Sequence, residues 1–411
     1  MFKKTFLIFL FFGAINFVNA QDSVPQNVSD TLFFEQENII IANDTATTDS
    51  VEIPKKENLI KQLINGNLNW SLAIAPSINL QPETSWGFGF GGAYYIKPKI
   101  AGKKTGLINF STIYTLRNQF FFKTSSTAYL DKEQKFVLYS SADFRHFPDN
   151  FYGIGNRKEN LLQKKIGYNS NNITVILQPQ RYLKRDWLVG INTHFRWENA
   201  KADSAHFKQL PMQIYGVDGF NEYFMLGFGG LVSHDSRDNI LYPQKGLFLK
   251  TTFTFYPKIC EKSYQMGRIA VDFRHFIPIY KGLIFAYQIS SEMNFTNGQK
   301  PFQMLATIGG AELLRGVRQS NWRDDAMVAL QAELRIPIWK IFKGAVFAGI
   351  GDVYSFENWQ WAKPKVGYGA GLRINFNKSG ANIRIDVARN NFDKSFRFNT
   401  FNWYITMNEA F

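Results

Sequence analysis

The sequence contains one cysteine, Cys260, so no disulfide framework can hold it together. After the first twenty residues it has no second long apolar run, and its mean hydropathy is −0.22, which excludes helical membrane spans. Histidine is scarce: the five, at 146, 194, 206, 234 and 275, show no metal-ligand spacing. No G-x-S-x-G nucleophile elbow is present either. No cofactor, metal or enzymatic activity is therefore expected; a Ser/His site assembled across strands, as in a lipid hydrolase, is the enzymatic alternative. Acidic residues number 33 against 47 lysines and arginines, a balance that raises nucleic acid as a partner. The basic residues are scattered along a chain that reads as exported, so nucleic acid is set aside and the excess is assigned to a solvated surface or a charged lumen.

What the chain does have begins with MFKKTFLIFLFFGAINFVNA. Lys3 and Lys4 form a positive start, Thr5 to Ala14 an apolar core, and Val18-Asn19-Ala20 a small-residue exit, the pattern of a secretory signal over residues 1–20. From 21 to about 55 the chain is rich in Asp, Asn, Thr, Ser and Gln and is expected to be disordered. KKENLIKQLINGN then places Leu59, Ile60, Leu63 and Ile64 at helical spacing before Gly66, which suits either a short amphipathic helix or a linker. The segment 21–67 is thus read as a periplasmic stretch ahead of one domain, 68–411.

From Leu68 the period becomes two. In VALQAELRI, Val328, Leu330, Ala332, Leu334 and Ile336 alternate with Ala329, Gln331, Glu333 and Arg335. VGYGAGLRINF, NIRIDV and FNWYITMNEAF repeat the pattern. Side chains on a strand alternate faces, so each segment has one greasy face and one polar or glycine-lined face. A soluble sandwich buries the greasy face, whereas a membrane barrel turns it to lipid around a polar lumen. The segments are about 10–13 residues long, enough to cross a bilayer at a tilt. Aromatics are abundant, with 40 Phe, 18 Tyr and 9 Trp, and they cluster at strand ends as interfacial girdles do.

The prediction is an all-β, 16-stranded antiparallel transmembrane β-barrel. Its first strand is placed at 68–78, its fifth to seventh at 134–145, 167–178 and 186–197, and its last at 401–411. Connections at 146–166, 198–222 and 294–325 are long, and alternate with short ones such as 277–280. Long loops outside and short turns inside are the expected asymmetry. SHDSRDNILYPQKG, Ser233 to Gly246, breaks this rule on the short side and reads as a rigid charged elbow.

Four stretches resemble the barrel domain of the BamA/TamA family, the bacterial surface-antigen group. DSRDNILYPQKG is similar to the family's D-x-R-D-x-x-x-P-x-x-G turn through Asp235, Arg237, Asp238, Pro243 and Gly246. LRGVR sits where the family carries an arginine-glycine motif on its long sixth extracellular loop. QAELRIPIW resembles the following strand, and FNWYITMNEAF the aromatic C-terminal strand that doubles as a targeting signal, here with Trp403, Tyr404 and Phe411. FYGIGN, 151–156, is also family-like.

The resemblance implies that the 294–325 loop folds into the lumen and that Arg315, beside Gly316, docks on Glu333, whose side chain faces the lumen by alternation. It departs from the family at Gly349, where an aspartate is usual; Asp352 falls on the other face. Residues 21–67 are too short for the periplasmic polypeptide-binding domains that usually precede such barrels. By resemblance, the chain is a bacterial outer-membrane factor that inserts or secretes proteins. Its partners would be lipid, lipopolysaccharide, client outer-membrane proteins or periplasmic proteins. The alternative is a gated or passive pore constricted by the 294–325 loop. Phe411 is expected to end the lipid-facing row Phe401, Trp403, Ile405, Met407.

Overall fold

Alternation along a strand dictates which side chains share a face, and closure of the sheet dictates what each face meets. The computed structural model describes residues 72–411, apart from 97–105, 158–160, 185, 204–209, 297, 320, 358–363, 376–381, 393–399 and 408. The expected signal, polar stretch and helix before 68 lie outside the described residues. The elements are β1 (Leu72–Gln81), β2 (Ser85–Ile96), β3 (Gly106–Thr115), β4 (Phe120–Tyr129), β5 (Phe136–Gly153), β6 (Leu161–Lys184), β7 (Trp187–Ala202), the short helix α1 (Leu210–Tyr215), β8 (Glu222–Asp235), β9 (Gly246–Tyr256), β10 (Met266–Tyr280) and β11 (Leu283–Phe295). Then follow β12 (Ala306–Ile308), β13 (Trp322–Asp324), β14 (Ala326–Trp339), β15 (Phe342–Tyr354), β16 (Lys365–Asn375), β17 (Asn382–Asn390) and β18 (Asn402–Met407).

Sixteen of these strands, all but β12 and β13, close into one antiparallel barrel in chain order, with β18 returning to β1. Its faces carry inverted polarity. On β14, Val328 and Leu330 are exposed, while Ala329, Gln331, Glu333 and Arg335 are buried. Ile78, Phe88, Phe90, Phe253, Val346, Ile350 and Tyr368 extend the exposed apolar row around the wall. Thr252, Thr254, Asp272, Ser290, Glu292, Arg384 and Asp386 are buried instead. A greasy exterior around a polar interior is the arrangement of a membrane barrel.

Besides the expected connection 277–280, which is the paired end of β10 with its turn at Lys281-Gly282, boundaries differ from the expectation at four places. The first strand runs on to Gln81 rather than ending at 78, because Asn79, Leu80 and Gln81 continue the alternation and pair with Gly87, Trp86 and Ser85 before Pro82 turns the chain; its expected start at 68–71 lies outside the described residues. The fifth to seventh strands run well past their expected ends, so that the supposed loop 146–166 is mostly a paired hairpin, with Phe147 opposite Ser170 and Phe151 opposite Ile166. That hairpin extends because its end joins an aromatic cluster. Phe151, Tyr168 and Phe220 pack around Phe302, whose ring lies 4.5 Å from that of Phe151. The 294–325 segment, expected as one long connection, contains a 3-10 turn at Phe302–Met304 and the β12–β13 pair.

The fourth difference is the C-terminus. The last strand stops at Met407, and Phe411 is buried at 3% exposure, stacked on Phe276 at 6.4 Å, rather than in the lipid-facing row. The physical reason is a cation: Arg335 donates from Nη2 to the main-chain oxygen of Phe411 at 3.0 Å, drawing the end of the chain inward.

The exposed row generates a test. Val346, 47% exposed near the middle of β15, should tolerate no charge. Val346→Arg is expected to lower stability by about 2–4 kcal/mol in refolding titrations into lipid vesicles, as for arginine at a bilayer midplane.

Candidate functional site

Glycines shape the floor of the site. Gly316 has φ of 97°, and a Cβ there would lie 2.4 Å from the carbonyl oxygen of Arg389, so only glycine lets the loop backbone approach β17. On the wall, a Cβ at Gly367 of β16 would lie 2.1 Å from the carbonyl of Arg315. The loop therefore seats directly on backbone. Leu313, Leu314 and Val317 pack with Met327, Ala329 and Val353 of the wall and with Ile308 and Trp322 of the β12–β13 pair.

This seating carries the Arg315 guanidinium onto the polar face of β14–β17. Nη2 donates to Glu333 Oε2 and Nη1 to Asp386 Oδ2, each at 2.7 Å, and all three side chains are fully buried. The plane of the fork lies over Phe347, with the guanidinium carbon 3.5 Å from the ring centroid. A planar cation can use its edge for two carboxylates and its face for a ring at once; an ammonium cannot.

The carboxylates are shared. Arg373 reaches Asp386 Oδ1 at 2.5 Å, Glu333 Oε2 at 3.1 Å and Glu409 Oε2 at 2.9 Å. Arg335 donates from Nε to Glu333 Oε1 at 2.9 Å and from Nη1 to the carbonyl of Pro243 at 3.0 Å. Arg384 holds Thr406 at 2.8 Å and the carbonyl of Ala311 at 3.2 Å. Four guanidinium groups thus interleave with three carboxylates, which keeps the buried charge close to balance.

The network joins stretches that were read separately. Arg335 ties the elbow between β8 and β9 to the same carboxylate that holds the loop. Within the elbow, Arg237 forks onto Asp235 at 2.9 and 2.7 Å, and Asp238 accepts from the backbone of Gln244 and Lys245. Gly246, at φ 100°, closes the elbow next to Ser236, and Pro243 is the contact to Arg335. Tyr404 of β18 is buried, and its hydroxyl accepts from the Gly316 N–H at 3.0 Å. Trp403 faces outward.

FYGIGN touches the loop too, since the Gly155 N–H donates to the Arg323 carbonyl at 2.9 Å. Asp352, on which no role was placed, pairs with Lys365 at 2.6 Å.

Sequence reasoning missed the second carboxylate, Asp386, along with Arg373, Arg384 and Phe347. The signal was present for the first three: NIRIDV and GLRIN place them on the polar row. The position left empty by Gly349 is used differently, because a Cβ there would lie 2.8 Å from Leu314, so its absence admits the loop.

The loop also spans the junction of the first and last strands. On one side Gly316 bonds Tyr404 and accepts from Asn402 Nδ2 at 2.6 Å. On the other, the Gln319 N–H donates to Glu83 Oε1 at 2.8 Å in the β1–β2 turn. Burial raises the Glu83 carboxyl above its usual range, opposed by that N–H and by Arg318. In β13, burial pushes Asp324 up to about 7. Between the two strands themselves, a single register pair, Leu80 with Ile405, is formed among the described residues, against ten between β1 and β2.

Residues 102–411 match the family model described as the Omp85 superfamily domain. No curated protein matches the chain. Among solved structures, BamA from Haemophilus ducreyi lacking POTRA domains 1-3 is similar with a TM-score of 0.55 and 11% identity over 82% of this chain and 70% of that one. CdiB from Acinetobacter baumannii and CdiB from Escherichia coli each give a TM-score of 0.52 at 9% identity over 82% of this chain. The chain spans 59% and 63% of the two CdiB chains, under two thirds of each. At these identities the likeness concerns the fold.

The shared carboxylate sets an order of severity. Arg315→Ala is expected to leave the barrel strands intact, weaken loop anchoring by roughly 2–3 kcal/mol, and raise proteolysis of the 309–320 segment at least about tenfold. Arg315→Lys should restore part of the protection. Glu333→Gln should be worse than Arg315→Ala, since it strips three guanidinium groups of one partner, and the double substitution should be far from additive. Limited proteolysis of the folded barrel reads all four.

Proposed function

Because the chain belongs to the Omp85 superfamily, we propose that it acts in the bacterial outer membrane as a non-enzymatic factor that inserts or secretes other polypeptides through the seam between β1 and β18. The observation that carries this reading is the single register pair at that seam. Along Leu72–Asn79, β1 has no register partner on β18 among the described residues. Unpaired backbone groups in a bilayer cost several kcal/mol each, so such an edge favours whatever strand can supply the missing ladder. A client β-strand has the required chemistry, which is backbone donors and acceptors at strand spacing with side chains alternating between lipid and lumen.

On this reading, the 294–325 loop lies in the lumen as a plug, and its contacts to Tyr404, Asn402 and Glu83 hold both sides of the seam at one end. The partners are membrane lipid, lipopolysaccharide at the outer surface, and client polypeptides. The gated-pore reading draws on one observation, that the segment around Arg315 is anchored by side chains and so could be released.

A disulfide separates the two. Leu80→Cys with Ile405→Cys, in a Cys260→Ser background, joins the directly opposed pair across the seam. Oxidation is expected to abolish insertion or release of client proteins in cells and proteoliposomes, with recovery on reduction, while ion conductance is unchanged. Full client handling by the oxidised barrel would sink the seam reading. If depletion of the protein changes solute uptake alone, with outer-membrane protein composition intact, the pore reading stands instead.

A further inference from the structure

Two connections on the rim opposite the 296–325 segment depart from turn preference in the same way. The end of β10 and the turn into β11 read Ile277-Pro278-Ile279-Tyr280-Lys281-Gly282, and the end of β14 and the turn into β15 read Ile336-Pro337-Ile338-Trp339-Lys340-Ile341. The pattern Ile-Pro-Ile-aromatic-Lys therefore occurs twice. Both copies shift register after the proline, and both close a two-residue turn, Tyr280 pairing with Leu283 and Trp339 with Phe342. The first turn residue is lysine each time, at φ 39° and 45°. Two-residue hairpins prefer Asn, Asp or Gly at that left-handed position, and a long side chain there is uncommon. Backbone geometry thus gives no reason for lysine, which leaves its side chain.

Each ammonium group stands over the aromatic ring before it, Lys281 at 5.0 Å from Tyr280 and Lys340 at 4.8 Å from Trp339. Among the described residues neither lysine has a carboxylate partner. The rings are 64% and 61% exposed, and Ile279, Ile338 and Ile341 beside them are exposed as well. Since β11 pairs with β14, the turns are neighbours on the rim, and a Cβ at Gly282 would meet Pro337 at 3.6 Å. Together they form one shelf, with two cations at the edge of an apolar, aromatic surface where the lipid-facing rows end.

We propose that this shelf is a binding site for an anionic phospholipid, its phosphate headgroup held by Lys281 and Lys340 and its upper acyl chain lying on Tyr280, Trp339 and the adjoining isoleucines. The occupant needs a negative head and a greasy body in one molecule; free phosphate matches only the lysines. Aromatic rings with lysine at a membrane interface match such a ligand in depth and in charge. The inference rests on the chain spanning a bilayer and not on its handling of clients.

The test uses the full chain refolded into phosphatidylcholine vesicles containing bromine-labelled phosphatidylglycerol or bromine-labelled phosphatidylcholine at equal fraction. The emission of Trp339 is taken as the difference between the parent and Trp339→Phe. Phosphatidylglycerol is expected to quench Trp339 with an apparent preference of roughly fivefold, the order expected for lysine at an anionic surface. Lys281→Gln with Lys340→Gln should bring the preference close to one while phosphatidylcholine still quenches, and the corresponding double arginine variant should retain it. Equal quenching of the parent by both lipids overturns the proposal. So does loss of the preference on adding inorganic phosphate at constant ionic strength, which would make the ligand free phosphate. Absence of quenching by either lipid overturns it through its premise, the inserted barrel.

Discussion

The pairing of Arg315 with Glu333 and Asp386 is the constraint on which the interior depends. Burying a charge costs several kcal/mol, and the cost is recovered only when partners are close, correctly aimed and saturated with hydrogen bonds. Here each carboxylate satisfies that demand by serving more than one guanidinium group: Glu333 meets Arg315, Arg335 and Arg373, and Asp386 meets Arg315 and Arg373. Such a cluster is poorly described as a sum of pairs. Removing any member leaves the others buried and short of a partner, which is why loop, wall, elbow and C-terminus are coupled.

The coupling has a direction along the barrel axis. At one end the loop backbone at Gly316 meets Tyr404 and Asn402 of the last strand; at the other Arg335 holds Pro243 of the elbow and the end of the chain at Phe411. The last strand is thus held at Asn402 and Tyr404 and the chain beyond it at Phe411, while among the described residues the strand makes one register pair with β1. Side-chain-to-backbone bonds from the loop reach Tyr404 and Asn402 on one side of the seam and Glu83 on the other.

Much of the fold was legible because lipid outside and water inside impose a period of two on every spanning strand. VALQAELRI, VGYGAGLRINF and NIRIDV each declare their inward rows without any knowledge of their neighbours. Arg315 and Glu333 were legible as partners through the family resemblance, and the structure sets their atoms at 2.7 Å. The hairpin of β5 and β6 was less so. Beyond the bilayer the same alternation continues, but the reason it stays paired is the cluster around Phe302, 151 residues from Phe151 in the chain. Phe411 was misplaced for a related reason: its residue type and position suit a lipid-facing row, and nothing nearby in sequence announces the pull of Arg335.

By itself the sequence determined the class of fold, the inward and outward rows, and the places where the chain must turn, because each follows from local periodicity and from residues such as Gly246 and Pro243 with restricted backbones. Tertiary structure alone decided that Asp386 is the second carboxylate, that Arg335 joins the elbow to the loop, and that β18 ends early. Those outcomes depend on which inward-facing charges meet across a closed lumen, and that is set by the shear and closure of sixteen strands together rather than by any one of them.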